Sequence, residues 1–179
     1  MCIRDRAEGS NYECFQFVNS CVLHRSDIYG KLNGVNSSCS LSGLTLSKDK
    51  QHSATYINTD HAKPHCKSSQ NFKSILNDMS SGVFNGRTVV QEDSQKTNSR
   101  QSNKNLLLSD KALMNSNPQL EIYADDVKCA HGSTTGALDK EALFYMQSRG
   151  INKEEASSLL IRGFALSLIH ISEPTRRRT

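Results

Sequence analysis

The sequence predicts a mainly β protein with a short helical segment on its C-terminal side. Three observations carry this. Between about residues 10 and 135, apolar and polar residues alternate in short runs, the period of a half-buried strand. The chain holds 25 Ser and 14 Asn but only 6% aromatic residues and no Trp, a composition suited to a turn-rich β architecture. After Gly136 the apolar spacing changes from two to that of a helix.

Residues 12–18, 27–32 and 40–46 contain the first alternating runs. Asn33-Gly34, Gly43 and Asn85-Gly86 read as corners, and Asn85-Gly86 as a turn within 82–90. Residues 92–105 are polar throughout and read as a surface loop or the outside of a corner, with a buried strand resuming at Leu106. Leu120, Ile122 and Ala124 alternate with polar neighbours. Many short strands with polar corners fit a sandwich, a barrel or a solenoid, and no clean fixed period selects among them. Beyond 136, Asp139 caps a helix running to Arg149, with Gly150 at the C′ position. Asn152 and Glu155 form a capping box. Ala156, Leu159, Leu160, Gly163 and Phe164 share one helical face, so 139–165 reads as a helical hairpin.

The two ends, residues 1–6 and 166–179, resemble translated adapter sequence and are set apart from the fold. The formal charge of the chain is +4, but these ends carry most of it and the rest is close to +1. The Arg-rich tail therefore gives no support for nucleic-acid binding, and the remainder has no basic stripe. No apolar run reaches the ~20 residues of a membrane-spanning helix. Six Cys occur without a CxxC pair and at irregular spacing, which argues against a disulfide framework or a self-contained zinc site and points to a reducing compartment.

Several chemistries are excluded by motif. There is no GxxxxGK[ST], GxGxxG or GxSxG. His61 and His65 have the spacing of a helical metal pair, but Pro64 would disrupt a helix, and on a strand they lie ~13 Å apart. Asp125 and Asp126 are adjacent, so on a strand they face opposite ways; a turn or cap suits them better than acid–base work.

Cys129 and His131 are the exception. On a strand, residues two apart project to the same face, placing a thiol beside an imidazole. Such soft donors suit iron, zinc or copper. Two ligands do not close a tetrahedral site, so a partner or remote residues must supply the others. The plain alternative is a buried Cys beside a satisfied His.

Residues 61–76, 82–86, 95–109, 118–132 and 144–151 resemble the SufB/SufD family of iron–sulfur cluster assembly, and 118–132 is similar to its SufD branch. The likeness spans about residues 7–165. It implies part of a right-handed parallel β-helix over 7–135, followed by a C-terminal helical segment over 136–165. It implies a non-catalytic scaffold that binds no nucleotide itself. The β-helix would pair with a SufB-like subunit, or form a homodimer without one. The helical segment would dock a SufC-like ABC-type ATPase. A transient iron–sulfur cluster would form at the subunit interface, with His131, and Cys129 beside it, contributing ligands. The setting would be cytoplasm or plastid stroma. Two other classes compete: a carbohydrate-active β-helix enzyme, which needs clustered carboxylates and stacking aromatics, and a purely structural module in which Cys129 and His131 are only packed.

Overall fold

The computed structural model describes residues 2–3 and 8–172. Among the described residues, ten strands run β1 (Cys2–Ile3), β2 (Asn11–Asn19), β3 (Leu23–Leu32), β4 (Ser38–Ser47), β5 (His52–His61), β6 (Lys67–Leu76), β7 (Ser81–Val90), β8 (Asn98–Leu107), β9 (Leu113–Ile122) and β10 (Lys128–Gly136). Helices α1 (Lys140–Ser148) and α2 (Lys153–Ser172) follow.

Strands alternate between two sheets, ordered β1-β3-β5-β7-β9 and β2-β4-β6-β8-β10, and every pairing is parallel. This is a parallel β-solenoid of about four turns ending in two helices, the solenoid among the three β architectures the sequence left open. Its interior is shared. Ile28, Leu32, Ile57 and Phe84 from one sheet meet Cys39, Leu41 and Phe72 from the other. At ~25 cal/mol per Å2 of apolar surface, each such buried side chain stabilises by about 1.5–3 kcal/mol.

The corners explain how the chain turns. Gly9, Asn36, His65 and Lys96 all have φ near +60° and stack as one corner column. Asn36 N–H donates to the Pro64 carbonyl (3.4 Å), and His65 N–H to that of Gln95 (2.9 Å). Hydrogen bonds between coils thus offset a left-handed backbone that costs about 1–2 kcal/mol per non-glycine residue.

Three expectations are corrected. Gly43 and Asn85-Gly86 are not corners: they sit within β4 and β7. Glycine is needed there for room, since a Cβ at Gly43 would fall 2.5 Å from the Phe72 ring and one at Gly86 2.0 Å from Gln101 Nε2. Residues 98–105 are not a loop but most of β8, with Ser99, Gln101, Asn103 and Asn105 buried. The apolar face of α2 is rotated from the expected one. Leu159 is 45% exposed, while Leu168, Ile161, Phe164 and Ala165 pack on Leu44, Ile75 and Leu106 of the outer sheet face.

The helix boundaries at α1 match expectation. Asp139 accepts from the backbone of Glu141 and Ala142, and Gly150 has φ +88°. Asn152 accepts from Glu155 N–H at 2.8 Å. Helix α2, however, runs to Ser172, past residue 165, because Leu168 is fully buried against the sheet. Of the two set-apart ends, residues 1, 4–6 and 173–179 lie outside the described residues.

Candidate metal half-site at the end of the solenoid

Strand β10 is the last of its sheet. It pairs with β8 on one side, and its other edge is unpaired among the described residues. Its register sets Cys129 beside Ser99 and His131 beside Gln101. Ser99 and Gln101 are buried at 1% and 3% exposure, so they point into the solenoid. In-register parallel strands keep neighbours on the same face, and residues two apart share it. Cys129 and His131 therefore stand together on the inward face of the terminal coil, with no further coil above them among the described residues. Cys129 is half-buried and His131 is exposed.

Burial pushes the Cys129 thiol above its ordinary range, and a backbone hydrogen bond with Ser99 opposes this. At neutral pH the group is a thiol, and metal binding there must release its proton. Among the described residues, no three His, Cys, Asp or Glu side chains gather where they would hold a metal ion. Cys129 and His131 are thus two donors of different softness without a third.

Behind them the interior is polar. His61 Nε2 and Ser68 Oγ lie 2.8 Å apart, as do Ser68 Oγ and Ser99 Oγ, leading toward Cys129. Gln101 Nε2 donates to Gln70 Oε1 at 2.7 Å, and Gln70 Nε2 donates to Thr59 and Thr88 hydroxyls at 3.0 and 3.1 Å. Asn103 Oδ1 accepts from Ser116 and Asn105. Sequence reasoning missed this belt, since it took 92–105 for surface. The signal was there at coil spacing: Gln70, Gln101 and His131 lie 31 and 30 residues apart, one coil each.

The other singled-out residues separate. His61 is buried at the end of β5, whereas His65 is exposed on the following corner, so the pair shares no site. Cys66 is buried, its Sγ 3.2 Å from both Ser37 Oγ and the Gly34 carbonyl. Asp125 and Asp126 occupy the corner after β9, where Asp126 pairs with Lys96 and its N–H donates to Gln95 Oε1. Among the described residues, Cys14, Cys21, Cys66 and Cys129 are free thiols. No helix among the described residues is long and apolar enough to cross a membrane.

Comparison with known proteins identifies the family. Residues 4–164 match the family described as SUF system FeS cluster assembly, SufBD core domain. The iron–sulfur cluster assembly protein SufD of Escherichia coli is 38% identical over 162 residues, covering 90% of this chain and 38% of that protein. SufD of Bacillus subtilis is 38% identical over 96 residues, 54% of this chain and 22% of that protein. A chloroplastic protein of Arabidopsis thaliana is 34% identical over 172 residues, 93% of this chain and 35% of its own length. The chain spans between a fifth and two fifths of the length of these relatives. With the match reaching through nearly all of the solenoid, α1 and the first part of α2, the chain belongs to the SufBD core family of the SUF iron–sulfur cluster assembly system.

Proposed function

We propose that the chain is a non-catalytic scaffold subunit on which an iron–sulfur cluster, as cargo, is assembled at a subunit interface. The observation that carries this is the pair Cys129 and His131 on the inward face of a terminal strand with one unpaired edge, with no third ligand beside them among the described residues. A half-site on an open strand edge calls for completion by a second protein, and an open edge is itself a pairing surface. A SufB-type subunit of similar solenoid shape fits that role, its strand continuing the sheet beyond β10 and its thiolate completing the ligand set.

The helices supply a second surface. On α1, Phe144 and Tyr145 are 72% and 57% exposed beside a groove of about 650 Å3. Aromatic side chains in the open are typical anchors of a protein interface. We assign this surface to a SufC-type ATPase, so that this chain transmits nucleotide-driven motion while binding no nucleotide itself. The free cysteines suit a reducing setting, cytoplasm or plastid stroma.

Co-expression of this chain's full reading frame with SufB- and SufC-type subunits tests the proposal. With His131→Ala, cluster content measured by visible absorption and bound iron is expected to fall at least tenfold while the complex still assembles. Undiminished cluster content in that variant refutes the role of His131.

A further inference from the structure

We propose that Gln101 is the positioning residue for His131, its side-chain oxygen accepting the imidazole N–H and so presenting the other ring nitrogen to the metal. This rests on the proposed half-site and deepens it. Gln101 stands one coil below His131 in the same inward column. Its amide is oriented by what lies beneath. Gln70 Nε2 is already committed to Thr59 and Thr88, so Gln70 offers its oxygen, and Gln101 must meet it with nitrogen (2.7 Å). In such a ladder of in-register amides, the oxygen of the last rung faces the next strand. That oxygen, Gln101 Oε1, is buried and has no hydrogen-bond partner. A buried orphan acceptor costs about 1–3 kcal/mol, so the fold gains by supplying a donor.

Register sets His131 directly over Gln101 in the terminal coil, and neutral imidazole has one N–H and one lone pair. A ring N–H given to Gln101 fixes the tautomer and leaves the lone pair for a metal. Ligating imidazoles generally donate their second nitrogen to such an acceptor. Gly86, on the facing sheet, keeps the space that the amide fills.

Nitrogen NMR of the imidazole in the full chain at pH 8 reads the tautomer directly. The native chain is expected to show one protonated and one unprotonated ring nitrogen for His131, with the two signals well separated. Gln101→Leu is expected to give averaged signals. Gly86→Ala, whose added carbon displaces the amide, is expected to act like Gln101→Leu and serves where that variant folds poorly. In the complex with the SufB-type subunit, ferrous ion should bind about 10–100-fold more weakly to Gln101→Leu. Averaged signals in the native chain, or an unchanged tautomer in both Gln101→Leu and Gly86→Ala, overturn the proposal. Iron binding that survives His131→Ala overturns the half-site instead, and leaves the tautomer result to stand alone.

Discussion

His61 shows what it costs to bury a titratable side chain inside a solenoid. Its ring is fully buried, with Nε2 against Ser68 and Nδ1 without a partner. Desolvation lowers its pKa to about 4, only weakly opposed by Asp60. In the unfolded chain the imidazole titrates near its ordinary value of about 6.5. Between those values the unfolded chain binds a proton that the folded chain refuses. Stability therefore falls as pH drops from about 6.5 toward 4, by up to roughly 3 kcal/mol. Urea unfolding at pH 7.5 and 4.5 is expected to show that His61→Gln, although less stable at pH 7.5, loses about 2–3 kcal/mol less than the native chain on acidification. Equal losses in the two chains contradict this account of His61. Gly43 and Gly86 make the complementary point. There a missing side chain is what lets Phe72 and Gln101 occupy the interior.

At the scale of elements, helix α2 is fastened to the outer sheet face by more than apolar contact. Lys73 is 4% exposed, and its ammonium donates to the Phe164 carbonyl at 2.7 Å and to Ser167 Oγ while lying 4.8 Å from the Phe164 ring. Burial, with help from Lys104, lowers its pKa. Lys73→Met keeps the apolar stem but removes the donors. The helix is expected to lose about 1–3 kcal/mol of docking stability. Hydrogen exchange should then speed about 5- to 100-fold in α2 while β4 and β6 stay protected. Unchanged exchange in α2 removes Lys73 from this role. The helices were also the elements most legible in the sequence. Their caps at Asp139 and Asn152 are local, and local rules decided them. The face of α2 was less so, because Leu168, beyond the residue taken as its end, fixes how the helix rolls on the sheet.

Strand β8 was the least legible element. Its inward residues Ser99, Gln101, Asn103 and Asn105 are polar, so hydrophobic alternation vanished although the strand is paired on both sides. Polar residues are buried there because each coil supplies hydrogen-bond partners for the next, a relation between positions about thirty residues apart. Asn85-Gly86 misled in the opposite direction, since a pair favoured in hairpin turns was used here for space within a strand.

For the whole molecule, the solenoid was hidden by its uneven coils. Paired residues Asn11↔Ser38, Ser38↔Lys67, Lys67↔Asn98 and Asn98↔Lys128 are 27, 29, 31 and 30 apart, so no fixed period could appear. Local alternation gave strands but not how they stack. The Cys129–His131 pair was legible, because two residues on one strand need only local geometry to share a face. Its place at the open end was not, because that depends on which strand is last. The resulting molecule is a hydrogen-bonded shaft with α2 fastened along one face, α1 packed on α2, and the outer edge of β10 unpaired among the described residues. In the proposed complex such a shaft carries motion from an ATPase at the helices to the half-site at the edge.

The most direct measurement is electron spin-echo spectroscopy of the reduced cluster in the complex, with nitrogen-15 histidine introduced into this chain alone. The expected result is a nitrogen-15 coupling to the cluster that disappears in His131→Ala. A cluster that forms with no coupling to this chain's label, or one whose coupling persists in His131→Ala, contradicts the claim that this chain supplies half of the site.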